Sequence, residues 1–412
     1  MFENHENRVF RGGARYRWVI LLIFVLSQVV LSISGLGWGA LAPFLKKEMA
    51  ISEYQIGAIS SLFYFAAAFS AFPGGIIVDR FGAKMGLLLW LALPGTACIL
   101  MGLLHHYYIL FLSFVALSGL GYGLGNPVAS KGLFMWFDHK TRGTAFGIRQ
   151  SAVTIGAAVA GVFLVFLSQK AGPFFAIRVT GMMIIAMVVL AYLFFRVPPG
   201  GAPGLPRDGP KRERTKNEKI RVLFTNGPLL TASVVMALLG LAQGVVVTFF
   251  ILYLNEKLGV SLIMAGSLFT FLMVNGTIGR IGWGIASDRL SGGRRKPVLM
   301  IIALLATAST FILALWPAAR PEALLIPVVV ILGLSSVGWN AVGLVLVTEV
   351  CAEDQTATSV GFASTIGWGG IFLGPIGFGT VIEYAGYFHA WLSLAFCCLA
   401  ALILCYFLPS SK

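Results

Sequence analysis

Acidic residues, and charged residues in general, are scarce in this sequence. Asp and Glu together number 16 in 412 residues, and all charged residues make up 11% of the chain. Soluble domains carry about 25% charged residues, so this composition excludes an ordinary water-soluble protein of this length. The acidic residues fall in tails, loops or the ends of predicted helices. The middle of each apolar segment is therefore expected to lack a carboxylate.

Cysteine is also sparse, and the spacing of the cysteines excludes several kinds of site. The five cysteines lie in or at the ends of apolar segments without the spacing of metal ligands. We expect neither a disulfide framework nor a bound metal. The sequence also has no nucleophile elbow, no phosphate-binding loop and no cluster of metal ligands. We therefore expect no enzymatic activity and no cofactor.

Long apolar runs dominate what the sequence does contain. Hydrophobic residues make up 58% of the chain, and many runs reach the ~20 residues that cross about 30 Å of hydrocarbon. The net charge of +14 sits mainly in short loops between these runs, so we reject a nucleic-acid partner. The composition predicts a polytopic, all-α membrane protein whose partner is the lipid bilayer.

Twelve apolar segments predict twelve transmembrane helices in two bundles. We expect an N-terminal tail at 1–17, a first bundle at 18–196, a linker at 197–221 rich in Pro, Gly and basic residues, and a second bundle at 222–412. The predicted helices lie at about 18–45, 53–78, 84–104, up to 137, 143–167, 174–195, 228–254, 260–286, 297–317, 324–349, 357–382 and 388–408.

The two predicted bundles repeat one another in sequence. At an offset of 209 residues, Ser52 aligns with Ser261, and the segment ending Gly75-x-x-x-Asp79-Arg80 aligns with Gly284-x-x-x-Asp288-Arg289. At an offset of 214 residues, Asn126 aligns with Asn340. An internal repeat of this length is typical of duplicated membrane bundles. We expect a substrate path between the two bundles near the middle of the membrane.

The distribution of Lys and Arg predicts the orientation. With the N-terminus in the cytoplasm, 21 basic residues lie on the inner side and five on the outer side. Basic residues concentrate on the cytoplasmic side of membrane proteins. Both termini are therefore predicted to be cytoplasmic.

The segment Gly75-x-x-x-Asp79-Arg80-x-Gly82-x-Lys84 resembles the loop motif between the second and third helices of the major facilitator superfamily. The resemblance implies two six-helix bundles and a gating role for this loop and its echo near Gly284. The alternative is a set of loop charges that only anchors the topology. The gating candidates are Gly75, Asp79, Arg80, Lys84, Gly284, Asp288 and Arg289.

Four basic residues fall inside predicted helices, which is costly in hydrocarbon unless they face a partner or a cavity. Lys131 and Arg178 lie near helix ends and can reach the membrane surface. Arg149 and Arg280 lie about 10 and 12 Å from the inner ends of their helices. Buried positive charge without buried negative charge predicts an anionic substrate that completes the pairs.

Further polar and aromatic residues on the predicted helices could line the same path, or could instead hydrogen-bond neighbouring helices. With the two arginines, they complete the candidate substrate-binding set. That set is Arg280, Arg149, Asn275, Thr277, Gln150, Tyr122, Asn126, Trp339, Asn340, Gln28, Trp38 and Gln243.

The eighth predicted helix carries a narrower resemblance. Its segment Asn275-Gly-Thr-Ile-Gly-Arg280 is similar to the same helix in oxalate:formate antiporters and monocarboxylate transporters. The resemblance implies that Arg280 binds a substrate carboxylate.

We therefore expect a monomeric secondary transporter of a small organic anion, a monocarboxylate first, in a bacterial inner membrane. It would work by alternating access with proton symport or anion exchange. The alternatives are a drug or sugar exporter of the same fold and a transport-inactive sensor or scaffold.

Overall fold

The computed structural model describes residues 3–137, 142–197, 223–287, 295–317, 324–350 and 356–408. Within these ranges the chain is almost entirely helical and contains no strand. The side chains of residues 3–15 and of a few helical residues, including Asp79, lie outside the description, as do Asp288 and Arg289.

The described residues of the first half of the chain form seven helices. They are α1 (Glu3–Leu36), α2 (Trp38–Met49), α3 (Glu53–Leu103), α4 (Tyr108–Gly123), α5 (Gly125–Phe134), α6 (Arg142–Ala171) and α7 (Pro173–Phe194).

The second half contains six described α-helices and one π-helix. They are α8 (Gly227–Glu256), α9 (Leu262–Ile285), α10 (Arg295–Ala314), α11 (Leu325–Leu332), the π-helix Gly333–Val337, α12 (Asn340–Val350) and α13 (Thr356–Tyr406).

Two of these helices contain two predicted transmembrane helices each. In α3, Gly82 has φ 86° and ψ 166°, and in α13, Gly386 has φ 79° and ψ 175°. Positive φ at these angles favours glycine, because a Cβ would clash with the backbone. Each glycine therefore breaks the helical run and separates two predicted helices that follow one another without a loop.

Hydropathy assigns the described helices to a membrane. Ten described stretches are long and apolar enough to cross a bilayer, from Tyr16–Met49 to Phe362–Tyr406, and some of them join neighbouring helices. The last stretch contains the kink at Gly386 and so holds two predicted helices. The protein is a multi-pass α-helical membrane protein, as the composition predicts.

Several helix ends differ from the sequence prediction. The first helix was expected to begin near residue 18, but α1 begins at Glu3. Polar residues can also form helix, whereas hydropathy identifies only the apolar part of a helix. The candidate membrane span within this helix accordingly begins at Tyr16. The predicted helix at 324–349 was expected to be a continuous α-helix and is interrupted by the π-helix Gly333–Val337.

Serine side chains cap the starts of two helices that the repeat pairs. The Ser52 amide donates to Gln55 Oε1 at 2.9 Å, and the Gln55 amide donates to Ser52 Oγ at 3.3 Å. This reciprocal pair is the capping box that the spacing of Ser52 and Gln55 predicts. Ser261 caps α9 by accepting from the Met264 amide at 3.3 Å.

The chain forms two compact units that differ from the two halves of the sequence. Unit 1 contains Met1–Gly35, Ala66–Ala157 and Phe174–Lys211, and unit 2 contains Leu36–Phe65, Ala158–Pro173 and Arg212–Lys412. The division at 197–221 into two bundles stays a prediction.

Aromatic rings fill part of the core of unit 1. The ring of Phe24 lies 6.3 Å from that of Trp90 and 6.1 Å from that of Phe195, and all three side chains are buried. A Cβ at Gly132 would meet the Phe24 ring at 2.5 Å. The absence of a side chain at Gly132 therefore makes room for this aromatic cluster.

Close backbone contacts at glycines hold unit 2 together. A Cβ at Gly161 would lie 2.7 Å from the Gly266 carbonyl oxygen, and one at Gly266 would clash with the Gly161 carbonyl. Gly39 packs against the Val247 carbonyl and Gly57 against that of Pro375 in the same way. Small residues allow membrane helices to approach closely and gain dispersion energy. This packing explains why 36–65 and 158–173 belong to unit 2.

Candidate functional site

Arg149 lies in the interior of unit 1. Its side chain on α6 is 3% exposed. Its Nη1 donates to Asn126 Oδ1 at 2.8 Å and to Gln150 Oε1 at 3.1 Å. The guanidinium carbon lies 5.4 Å from the centre of the Trp90 ring, within range of a cation–π interaction. Three of the predicted binding residues therefore meet at one point.

Space for the Arg149 guanidinium comes from Gly125. A Cβ on Gly125 would lie 2.8 Å from Trp90 Nε1 and 2.9 Å from Arg149 Nη2. Gly125 begins α5 directly after α4 ends at Gly123. The sequence analysis did not select Trp90 or Gly125. The Gly-rich run from Gly119 to Gly125 beside Asn126 was the available signal for a close approach of two helices.

Gln28 and Tyr122 form a second polar contact in unit 1. Gln28 is 2% exposed, and its Nε2 donates to Ser32 Oγ at 2.9 Å and to Tyr122 Oη at 3.3 Å. Tyr122 precedes Asn126 by about one helical turn, although the helix axis breaks at Leu124 between them. The contact links α1 to α4.

Lys131 and Arg178, the other two basic residues predicted inside helices of unit 1, have contacts near helix ends, where they were expected to reach the membrane surface. Lys131 Nζ donates to the Val78 carbonyl oxygen at 2.9 Å. The Arg178 side chain packs against Gly102, and its guanidinium carbon lies 5.9 Å from the Phe175 ring centre.

Arg280 in unit 2 is half-buried on α9 and contacts the π-helix. Its Nε donates to the Val337 carbonyl oxygen at 3.2 Å. Trp283, one turn later on α9, donates from Nε1 to the Leu334 carbonyl oxygen at 2.7 Å. Arg280 therefore has a described backbone partner that the sequence did not reveal.

The remaining predicted binding residues of unit 2 have different partners. Trp339 is 1% exposed and donates from Nε1 to Gln243 Oε1 at 3.1 Å. Asn275 and Thr277 donate to carbonyls one turn earlier on α9, at 2.8 and 3.1 Å.

Two further predicted residues of unit 2 lie apart from these hydrogen bonds. Trp38 is buried against Phe63, with 6.2 Å between ring centres. Asn340 is half-buried at the start of α12. Within unit 2, the described contacts join Arg280 to the π-helix and Trp339 to α8.

Among the predicted gating residues, Arg80 and Lys84 contact aromatic rings. The Arg80 guanidinium carbon lies 5.4 Å from the Phe81 ring centre, and Lys84 Nζ lies 4.8 Å from that of Tyr192. The side chain of Asp79, and Asp288 and Arg289 entirely, lie outside the described part of the chain.

Two of the gating candidates, Gly75 and Gly284, make no close helix contact with the described residues. A Cβ at Gly75 or at Gly284 would meet no described atom within 4 Å. The neighbouring Gly74 is packed instead, since a Cβ there would lie 2.6 Å from Leu124 Cδ2. The helical rotation of about 100° per residue turns Gly74, rather than Gly75, toward this neighbour.

A charged cluster in unit 2 was missed. Lys46 Nζ lies 2.6 Å from Glu53 Oε1 and 2.6 Å from Glu256 Oε1. Tyr387 Oη donates to Glu256 Oε2 at 2.8 Å. These four residues, here called the Lys46 cluster, join α2, α3, α8 and α13. Lys46 is one of the five basic residues predicted on the outer side, and acids beside the ends of two other predicted helices were a signal for its pairing.

Comparison with known proteins identifies the family. The family model described as Major Facilitator Superfamily matches residues 23–375 and 234–412. The chain belongs to the Major Facilitator Superfamily. This superfamily member has the fold that the repeated loop motif implies, and it is a transporter-family protein in a membrane.

Relatives of this facilitator include a sensor and a transporter. It is 27% identical to the Membrane sensor protein UhpC of Escherichia coli (strain K12) over 310 residues, 70% of each chain. It is 28% identical to the probable sulfoacetate transporter SauU of Cupriavidus necator over 286 residues, 66% of this chain and 65% of that protein.

The fold of the facilitator is also similar to a solved structure. A bacterial homologue of the human lysosomal transporter Spinster, in an inward-facing and unoccupied conformation, matches with a TM-score of 0.77. The match covers 95% of each chain at 17% identity. At this identity the likeness supports the fold and nothing more specific.

Proposed function

We propose that this Major Facilitator Superfamily transporter carries a small organic anion, with a monocarboxylate as the first candidate. The observation that carries the proposal is the environment of Arg149. The side chain is 3% exposed, and its described hydrogen-bond partners, Asn126 and Gln150, are neutral amides. A buried guanidinium group held beside two amides and an aromatic ring has its donors fixed in place. An anion that reaches it gains charge-assisted hydrogen bonds, which are stronger than those between neutral groups.

The relative named as a probable sulfoacetate transporter supports an anionic substrate. A small acid carries a planar carboxylate or a tetrahedral sulfonate group. The guanidinium group of Arg149 or Arg280 can bind two oxygens of such a group through two donors. The remaining predicted binding residues offer amide and hydroxyl groups for the rest of the substrate. Monocarboxylates, sulfonates and hydroxy acids therefore form the set to be screened.

We assign transport to alternating access, with proton symport or exchange for another anion. Asp79, Arg80 and Lys84 near Gly75, and their repeat partners near Gly284, would act at the gate. A protonated acid could carry its own proton through a path without a carboxylate. In our proposal the protein is a monomer in a bacterial inner membrane with both termini in the cytoplasm.

A second candidate function is sensing of an anion without transport. The 27% identity to a membrane sensor protein favours this alternative over a sugar or drug exporter. A sensor binds the same class of ligand and changes conformation, but does not move the ligand across the bilayer. Binding alone therefore cannot separate the two functions, and uptake into proteoliposomes can.

The test combines a binding screen with uptake. Purified protein is titrated with lactate, sulfoacetate, phosphate and neutral sugars, and then reconstituted for uptake of the anion that binds. We expect anion binding that weakens by 1.5–3 kcal/mol, about the value of a charge-assisted hydrogen bond, in Arg149→Gln and in Arg280→Lys. Both variants should remain monodisperse.

Two results would contradict the proposal. Binding of a neutral sugar in preference to every anion would favour an exporter or sugar transporter. Unchanged anion affinity in Arg149→Gln would show that Arg149 is not part of the anion-binding site. Binding without uptake would support the sensor.

A further inference from the structure

The π-helix Gly333–Val337 lies between α11 and α12, where the apolar run predicts continuous α-helix. A π-helix pairs each amide with the carbonyl five residues earlier and so accommodates one extra residue per turn. Such segments are rare and often occur at functional sites. The contacts of the segment Gly-Leu-Ser-Ser-Val with neighbouring elements therefore bear on function.

Helix α9 contacts this segment through two side-chain donors. Trp283 Nε1 donates to the Leu334 carbonyl oxygen at 2.7 Å, and Arg280 Nε donates to the Val337 carbonyl oxygen at 3.2 Å. The two residues are three positions apart on α9 and therefore lie on one face of that helix. Both donors bind backbone carbonyls of the π-helix, so they respond to its backbone geometry.

Glycines bring α9 and the π-helix into direct contact. A Cβ at Gly276 would lie 2.6 Å from Val337 Cγ1, and one at Gly279 would lie 2.7 Å from the Leu334 carbonyl oxygen. At Gly333 a Cβ would lie 3.0 Å from Asn275 Cβ. The π-helix thus rests on the surface of α9, and a change in its shape must be accommodated there.

The π-helix also determines the direction of Trp339. This residue follows the π-helix, is 1% exposed and donates from Nε1 to Gln243 Oε1 on α8 at 3.1 Å. Conversion of the π-helix to α-helix would replace the wide turn by a normal one and rotate the following segment by about 100°, one residue of an α-helix. Trp339 would then leave Gln243.

We propose that Trp283 is a positioning residue that holds Gly333–Val337 in the π form, and that this segment transmits changes at Arg280 to Trp339 and α8. The transmission from Arg280 rests on the proposed function, because an anion bound to Arg280 would compete with the neutral Val337 carbonyl for the guanidinium group. Charge-assisted hydrogen bonds are the stronger ones, so anion binding loosens one of the two contacts that support the π-helix.

The test is ¹⁹F NMR of protein labelled with 5-fluorotryptophan, recorded without any ligand. The Trp339 resonance is assigned as the one lost in Trp339→Phe. Trp283→Phe keeps an aromatic ring but removes the N–H donor. We expect the Trp339 resonance to shift or to split into two populations in Trp283→Phe and in Arg280→Gln. The matched control Trp18→Phe, at a side chain that is 51% exposed, should leave it unchanged.

An unchanged Trp339 resonance in Trp283→Phe overturns the positioning role, and an unchanged resonance in Arg280→Gln overturns the transmission from Arg280. If Arg280→Gln does not yield folded protein, Arg280→Lys serves in its place, because it keeps the charge and removes the Nε donor. No anion is present in these samples. A failure of the anion-transport proposal would therefore appear in the binding screen and leave the NMR result intact.

Discussion

At the scale of single residues, Arg149 is held by neighbours of three chemical kinds. Amide oxygens of Asn126 and Gln150 accept its hydrogen bonds, the Trp90 ring faces its guanidinium group, and Gly125 leaves the space for it. A binding arginine must be held in one orientation before the ligand arrives, because ordering it later reduces the affinity.

Gly125→Ala tests this arrangement. The added methyl group would overlap Trp90 Nε1 and Arg149 Nη2, and overpacking of this kind costs about 1–3 kcal/mol. We expect anion affinity to fall about tenfold, the equivalent of about 1.4 kcal/mol, together with a lower melting temperature. Titration calorimetry and thermal melts would measure the two effects.

The matched control is Gly147→Ala on α6, two residues from Arg149, where a Cβ would meet no described atom within 4 Å. Alanine favours helix over glycine, so this variant should bind normally and melt at the same or a higher temperature. Equal affinities in the two variants would contradict the positioning of Arg149 by Gly125.

Residue type alone was enough to select Arg149, Asn126, Gln150, Gln28 and Tyr122 as polar groups in an apolar chain. Sequence could not select Trp90, because tryptophan in a membrane segment is unremarkable until a neighbouring helix places a guanidinium group over its ring. The partner of Arg280 was hidden for a related reason. Every residue has a carbonyl, so the sequence does not mark the one at Val337 that accepts the hydrogen bond.

At the scale of helices, the Lys46 cluster connects four helices, with Tyr387 next to the kink at Gly386 of α13. Lys46 is shared by two carboxylates, and the three side chains are 19–28% exposed. Partial burial weakens solvent screening, so these ion pairs are worth more than pairs fully in water. The cluster joins residues from distant parts of the chain inside unit 2.

Lys46→Met removes the shared cation and leaves Glu53 and Glu256 near each other. We expect a loss of about 1–2 kcal/mol of stability, between the values for exposed and buried ion pairs. Thermal melts in low salt would measure it.

Lys47→Met, which changes an exposed neighbour by the same substitution, should have little effect. Equal melting temperatures of Lys46→Met and Lys47→Met at low salt would show that the cluster has no stabilising role. High salt should reduce the difference between them, because it screens the ion pairs of the wild type.

Patterns among adjacent residues predicted helix starts, whereas contacts between residues far apart in the sequence could not be predicted. The Ser52–Gln55 capping box is a pattern of four adjacent residues, so the sequence contains all its parts. The π-helix at Gly333–Val337 depends on donors at Arg280 and Trp283, more than 50 positions away. Local hydropathy shows only an apolar run at these positions and therefore predicts a continuous α-helix.

At the scale of the whole molecule, hydropathy and the internal repeat were sufficient for the class and for the helix plan. The compact units were not predictable in this way. Residues 36–65 and 158–173 belong to unit 2 because their glycines accept close backbone contacts from α8, α9 and α13. Those contacts depend on how helices pack, which the periodicity of one segment does not encode.

The predicted orientation can be checked by labelling. A cysteine at His106, an exposed residue before α4, should react with an impermeant thiol reagent added to intact cells. A cysteine at Lys211 should react after the membrane is permeabilised. The native Cys98, Cys398 and Cys405 are buried and should contribute little signal. Reaction at Lys211 and protection at His106 in intact cells would reverse the orientation.

The glycines divide into two classes that random mutation would tell apart. Any side chain at Gly39, Gly57, Gly161 or Gly266 meets a backbone carbonyl, which cannot move aside as a flexible side chain can. A saturation library selected for folded protein in the membrane should lose nearly all variants there. At Gly75 and Gly284, where described atoms leave room, alanine and serine variants should survive that selection. If those survivors then fail a selection for function, the two glycines serve motion rather than packing.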